Sequence, residues 1–126
     1  MTQDFWANEG YSVEFDIFFD TEDWDPWFDD GYAKLMKAGG GAETLLYSES
    51  VATVGDYGAD GWTHISYVIG DSGIYYLEFG VENVGDNDVL SAIGVDNVAV
   101  VPAPGAILLG SIGMGLVGWL RRRRTL

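Results

Sequence analysis

The sequence contains no cysteine, one histidine and only six Lys and Arg residues among 126. Without cysteine the chain forms no disulfide and offers no thiolate to a metal, which is compatible with export. Before Val98 the only basic residues, Lys34 and Lys37, stand against 20 Asp and Glu residues, a formal charge of −18. Because phosphates are repelled by such a surface, nucleic acid is not an expected partner.

Groups suited to catalysis are also scarce. His64 lies between Thr63 and Ile65 in a strand-like segment, where a structural histidine is expected rather than a base. None of the serines lies in the Gly-x-Ser-x-Gly pattern of a nucleophile elbow. The segment Gly39-Gly40-Gly41 lacks the Lys and Ser/Thr of a phosphate-binding loop. No spacing singles out a carboxylate pair for glycoside hydrolysis. The sequence therefore predicts a protein that is not an enzyme.

Alternating hydrophobicity indicates β-strands throughout residues 1–100. Within Ser12–Asp20, one face carries Val13, Phe15, Ile17 and Phe19, the pattern of a strand with one buried side. Leu77, Phe79 and Val81 share a face in a later strand. Asp71-Ser72-Gly73 is typical of a hairpin connection into that strand. Further strands are predicted at Tyr32–Lys37, Thr44–Ser48, Trp62–Ile69, Ile74–Val84 and Val89–Val101. We expect an all-β domain over residues 1–100, an antiparallel β-sandwich of the jelly-roll-like type.

Residues 101–126 form a cassette of three parts: Val101-Pro102-Ala103-Pro104, an apolar run from Gly105 to Leu120, and Arg121-Arg122-Arg123-Arg124. The run has 16 residues, slightly fewer than the roughly 17–25 of a full membrane span, but arginine stems can snorkel to the interface. It has no polar stripe, so it does not resemble an amphipathic core helix. We predict a single C-terminal transmembrane helix with the arginines in the cytoplasm and the acidic domain facing outward.

The cassette resembles the PEP-CTERM sorting signal of bacterial exported proteins in order, spacing and location. The resemblance covers residues 101–124, with Ala103 where the family usually has glutamate. It implies export to the cell envelope and processing by an exosortase, a membrane transpeptidase-like cysteine enzyme. It also implies association with extracellular polysaccharide and the biofilm matrix, with the protein on the surface or outside the cell after processing.

The domain before the cassette resembles carbohydrate-binding modules with a jelly-roll fold. The resemblance rests on Gly61-Trp62-Thr63, Tyr67, Gly73–Val81 and Gly94-Val95-Asp96-Asn97-Val98. It implies that a structural Ca²⁺ is common near the last strand.

Met1–Gly10 has neither the basic nor the apolar region of a signal peptide. We expect that a signal and one or two strands precede residue 1, the alternative being a tail-anchored protein.

The segment Asp20–Gly31 concentrates six carboxylates and three aromatic rings in 12 residues. Because Ca²⁺ prefers six to eight oxygen ligands, Asp20, Asp23 and Asp30 are candidate ligands. The alternative is a solvated acidic loop. Asp96, within an apolar strand, would either join a cation site or accept backbone N–H groups in a turn.

Four aromatic side chains near this loop are candidates for a platform on which a sugar ring stacks, although filling of the core explains them equally well. They are Trp24, Trp27, Phe28 and Tyr32. Two classes of function therefore remain open. The first is an adhesive or structural protein of the surface or matrix, and the second is a surface-displayed carbohydrate-binding module. An exposed coplanar aromatic patch would favour the second.

Overall fold

The structure is a computed structural model that describes residues 3–85 and 89–104. The predicted transmembrane helix and the block Arg121–Arg124 lie outside the described residues. Within the described ranges, no helix is long and apolar enough to cross a membrane.

The described residues form seven strands and one helical turn. In chain order these are β1 Asp4–Ala7, β2 Ser12–Asp20, β3 Asp30–Lys37, β4 Glu43–Ser50, α1 Val51–Val54, β5 Thr63–Val68, β6 Gly73–Glu82 and β7 Ala92–Val101. The strand predicted at Ser12–Asp20 is confirmed at both ends. β1 was not predicted because it is only four residues long and contributes one fully buried side chain, that of Ala7.

The strands build two antiparallel sheets, ordered β1-β6-β3-β4 and β5-β2-β7. Side chains from both sheets share one hydrophobic core. The two sheets therefore face each other, and the prediction of an antiparallel, sandwich-like all-β domain is confirmed at this level.

Strand β2 supplies the centre of that core. Its inward side chains, those of Val13, Phe15, Ile17 and Phe19, are completely buried, whereas the residues between them are not. The ring of Phe15 meets that of Phe79 edge to face, with centroids 5.2 Å apart. This contact joins the two sheets. Leu77 is buried as predicted, while Phe79 and Val81 are half-buried. Strand β1 pairs only with Gly73–Tyr76, so none of the described strands flanks β6 on that side at Phe79 and Val81.

The turn Asp71-Ser72-Gly73 does not close a hairpin, so that prediction is wrong. Strand β5 pairs with β2, whereas β6 pairs with β1 and β3 in the other sheet. The turn therefore carries the chain across the sandwich. Turn residues indicate a sharp change of chain direction. Whether the two strands on either side of the turn pair with each other depends on strands that are distant in the sequence.

Because the strands alternate in direction, the loops gather at two opposite ends of the sandwich. At one end the segments that follow β2, β4 and β6 meet: Thr21 N–H donates to Gly58 O at 3.0 Å, and Val84 N–H donates to Asp29 Oδ1 at 2.9 Å. At the other end Gly10 N–H donates to Ile69 O at 2.8 Å. Ala103 lies beside Gly10 at this second end.

Candidate functional site

A small network of buried polar side chains occupies the end of the sandwich where β2, β4 and β6 finish. Thr21, Asp23 and Asp29 are almost completely buried and are the buried polar residues of the part of the chain that the structure describes. Thr21 directly follows β2, and Asp29 directly precedes β3. Ser91, which precedes β7, completes the network.

Hydrogen bonds through two hydroxyl groups link the loops. Thr21 Oγ1 accepts the backbone N–H of Asp23 at 3.0 Å and lies 2.8 Å from Ser91 Oγ. Ser91 Oγ also lies 2.8 Å from Asp29 Oδ2, and the other Asp29 oxygen accepts the N–H of Val84. Because Thr21, Asp29 and Ser91 each adjoin the end of a strand, the sheets hold these two hydroxyls and the Asp29 carboxylate in place, whereas Asp23 lies within the loop.

Asp23 differs from Asp29 in having an unsatisfied oxygen. Its Oδ1 accepts the N–H of Trp24 at 3.0 Å, but its Oδ2 is buried and has no hydrogen-bond partner among the described residues. A buried carboxylate oxygen without a donor or counter-charge is costly, so this atom needs a physical explanation.

The four candidate metal ligands from the sequence do not come together as one group. Asp20 is exposed at the end of β2, and Asp30 is half-buried at the start of β3. Burial, together with the charges of Glu82 and Asp29, raises the pKa of Asp30. Within residues 3–85 and 89–104, no three His, Asp or Glu side chains are placed to hold a metal ion together.

Asp96 is exposed in β7, and its Oδ1 accepts the N–H of Asn97 at 2.8 Å. Asn97 has a φ of +53°, and the pairing of β2 with β7 shifts register beside it. Of the two roles considered for Asp96, the structure shows the one in which its carboxylate satisfies a backbone N–H at a bend.

The aromatic side chains of the acidic loop take separate positions. Trp24 stacks on Tyr57 with centroids 5.5 Å apart and planes inclined by 26°, and their exposed fractions are 36% and 66%. Phe28 is exposed, whereas the ring of Trp27 covers the backbone of Gly85. Tyr32 lies on β3, where its hydroxyl donates to Glu78 Oε1 at 3.2 Å. The stacked pair therefore combines one predicted residue with Tyr57, which sequence reasoning missed.

A second polar cluster lies on the outer face of the three-stranded sheet. His64 Nδ1 lies 2.7 Å from Asp16 Oδ1, and Asn97 donates to the other Asp16 oxygen at 2.8 Å. His64 Nε2 lies 3.6 Å from Glu14 Oε1. Hydrogen bonds from Asn97 and His64 lower the pKa of Asp16. The bond to Asp16, with the charges of Asp16 and Glu14, raises the pKa of His64.

This cluster predicts how stability depends on pH. Since the pKa of His64 is raised in the folded state, its stabilising effect is complete below about pH 6.5 and is lost as the pH rises through the folded-state value. We expect the difference in free energy of unfolding between wild type and His64→Gln to shrink from pH 6 to pH 9. Because the chain has one histidine, NMR titration of its imidazole protons measures the pKa directly.

Two carboxylate variants provide the controls for that titration. Asp16→Asn should return the pKa of His64 toward its ordinary value more strongly than Glu14→Gln, because Asp16 makes the closer contact. An imidazole that titrates identically in wild type and Asp16→Asn would contradict the assignment.

The described residues thus define a sandwich-like domain of two antiparallel sheets, with a buried acidic network and a stacked aromatic pair at one end. No protein-family model, curated protein or solved structure matches the chain. Its function must therefore be inferred from its own residues, because a fold alone does not specify one.

Proposed function

We propose that the chain is a non-enzymatic protein of the bacterial surface or extracellular matrix, exported and sorted by its C-terminal cassette. In this proposal the Gly105–Leu120 segment holds it in the membrane as a helix, with Arg121–Arg124 in the cytoplasm. An exosortase then processes it near Val101–Pro104, as the resemblance to PEP-CTERM proteins implies. The observation that carries the proposal is the tripartite order of proline motif, apolar run and arginine block.

The position of the motif in the fold supports this arrangement. Strand β7 ends at Val101, and Pro102 and Pro104 are exposed immediately after it. Pro102 and Ala103 lie in neither strand nor helix, whereas Pro104 takes a helical conformation. The residues directly after β7 are therefore suited to an extended form that a processing enzyme can bind. The motif lies at the end of the sandwich opposite the acidic loop, separated from it by the nine residues of β2, about 30 Å. A domain held by this tail would present the acidic loop away from the membrane.

Processing is tested by expressing the full chain in an exosortase-bearing bacterium and in an exosortase-deficient strain of it. We expect mass spectrometry to find the surface protein without Arg121–Leu126 only in the first host. A variant with Pro102→Ala and Pro104→Ala should remain uncleaved in both. If residues 121–126 remain on surface protein from both hosts, the cassette is a membrane anchor alone.

Localisation is tested separately by replacing all four arginines with serine. Because the stop-transfer charge is then lost, we expect the protein to be mislocalised in both hosts. Cell fractionation measures the change, and substitution of the arginines by lysine is the matched control that keeps the charge. A serine variant that fractionates like the lysine variant would contradict the membrane arrangement.

One observation favours the second candidate function, a surface-displayed carbohydrate-binding module with a jelly-roll-like topology. Trp24 and Tyr57 are exposed and stack on each other rather than lying side by side, so a sugar ring would meet the outward face of one ring of the pair. Asp25 and Asp56 lie exposed beside them. Asp56 Oδ1 accepts the N–H of Asp25 at 2.9 Å. Aromatic faces bordered by planar polar groups suit sugar rings and their hydroxyls.

For this candidate we expect Trp24→Ala and Tyr57→Ala each to weaken binding to an extracellular polysaccharide of the producing bacterium by about tenfold, since one stacking contact contributes roughly 1–1.5 kcal/mol. Affinity electrophoresis of the full chain measures the change. Trp6→Ala is the control, because Trp6 is an exposed aromatic residue, 61% exposed against 66% for Tyr57, but lies on β1. Equal losses in the control, or binding that survives both substitutions, would exclude the aromatic pair as the site.

A further inference from the structure

The end of the sandwich where Ala103 lies beside Gly10, here called the tail end, carries exposed apolar side chains. Trp6 on β1 and Ile74 on β6 are directly opposite each other near this end, and their exposed fractions are 61% and 46%. Side chains that lie opposite in an antiparallel pair share a face, so these two form one apolar patch on the outside of the four-stranded sheet. Single exposed apolar residues are ordinary, but a paired Trp and Ile call for an explanation.

The other sheet contributes a third exposed apolar side chain at the tail end. Val68 is the last residue of β5 and pairs with Ser12, which in turn pairs with Val101 at the end of β7. Val68 is 61% exposed. It faces outward because Tyr67, the residue before it, packs against the core. Exposed apolar side chains therefore lie on both outer faces of the sandwich at the end from which the tail leaves.

Charge distinguishes the tail end from the opposite end. The loops of the tail end, residues 8–11, 38–42 and 69–72, contain two carboxylates, those of Glu9 and Asp71. Asp71 pairs with Lys37. At the opposite end, Asp20–Gly31 alone contains six carboxylates. A surface with an exposed indole ring and few carboxylates suits the interface of a lipid bilayer, where Trp is enriched.

The length of the connection to the tail limits how far the tail end can lie from a membrane. Strand β7 ends at Val101, and the apolar run begins at Gly105. Four residues span at most about 14 Å when extended, and the helical conformation of Pro104 shortens this path. The headgroup layer on one side of a bilayer is roughly 5–7 Å thick. With the apolar run in the membrane, Val101 therefore lies no more than about 9 Å outside the headgroups.

We propose that the tail end docks on the lipid surface, with Trp6, Ile74 and Val68 in the headgroup region. The inference rests on the proposed membrane insertion of the apolar run. An indole ring favours this region because it combines an apolar body with a polar N–H. The domain would then stand on the membrane in one orientation instead of swinging on its connection. Val101–Pro104 would be held at the membrane surface, where a membrane-embedded processing enzyme meets it.

The test uses the full chain in nanodiscs of phosphatidylcholine. Because the chain has no cysteine, a nitroxide label attaches at a single introduced one. Gly70→Cys labels the tail end and Gly61→Cys the opposite end, and at both positions an added Cβ meets no atom within 4 Å outside the adjoining residues. We expect the label at position 70 to be shielded from a water-soluble nickel chelate and accessible to oxygen, which concentrates in lipid, and the label at position 61 to show the reverse. Equal nickel accessibility at the two positions would overturn the proposal.

Substitution of Trp6 separates docking from simple proximity to the membrane. With the label at position 70, we expect Trp6→Ala to lower the ratio of docked to undocked domains roughly tenfold, since it removes the apolar area of an indole ring. Trp62→Ala is the matched control, because Trp62 is 58% exposed but lies next to Gly61 at the opposite end. Ile74→Ser should act in the same direction as Trp6→Ala. If Trp6→Ala has no effect, or the same effect as Trp62→Ala, the connection alone places the domain and the proposal is wrong.

A third label distinguishes failure of this inference from failure of the proposed membrane insertion. Ser111→Cys places the label within the apolar run, where we expect high oxygen and low nickel accessibility. If the label at position 111 is shielded in lipid while the label at position 70 is exposed to nickel, the docking is wrong and the anchor stands. If the label at position 111 is itself exposed to nickel, both are wrong, because the docking requires an inserted tail.

Discussion

Phe15→Ala is expected to lower the free energy of unfolding by about 3–5 kcal/mol, the range for removing a fully buried aromatic ring. Phe15 is completely buried in β2, and its edge-to-face contact with Phe79 crosses between the sheets. Since small domains have total stabilities of only about 5–15 kcal/mol, a substantial fraction of the variant should be unfolded. Urea unfolding of the full chain, followed by tryptophan fluorescence, measures the loss.

Phe18→Ala is the matched control because Phe18 lies on the same strand and faces outward. Its ring is half-buried over Gly94 and meets Trp62 edge to face at 4.6 Å. We expect its removal to cost roughly 1 kcal/mol. Equal losses for the two variants would contradict the assignment of the inner face of β2.

Gly31→Val is expected to have the second largest effect on stability. Gly31 is buried at the start of β3, and an added Cβ would lie 2.5 Å from Phe19 Cδ2 and 2.7 Å from Ile93 Cγ2. These atoms belong to side chains packed in the core, so they can yield only by disturbing their neighbours. Overpacking of this kind costs roughly 1–3 kcal/mol.

The control for this substitution is Gly61→Val, where no atom outside the adjoining residues lies within 4 Å of the added Cβ. We expect its stability to stay within about 0.5 kcal/mol of wild type. Thermal unfolding of both variants compares them. A Gly31→Val protein as stable as Gly61→Val would show that β3 does not approach Phe19 and Ile93 this closely.

The alternation of large apolar and polar residues was sufficient to predict β2 and its buried face. Val13, Phe15, Ile17 and Phe19 recur with a period of two, and this period places them on one side of any strand. The same sequence pattern predicted the two-sheet character of the domain. Composition alone likewise showed that basic side chains are few, which makes the buried carboxylates of Asp23 and Asp29 unusual.

Only the tertiary structure decided which strands pair and which polar groups meet. The turn at Asp71–Gly73 has the residues of a hairpin, yet β5 and β6 belong to different sheets. Such pairing depends on the fit of whole strand faces, which no short segment encodes. Ser91 and Thr21 are 70 residues apart and bond through their hydroxyls. A serine that far from the acidic loop carries no local signal of its role, because that role arises when the ends of β2, β3 and β7 converge.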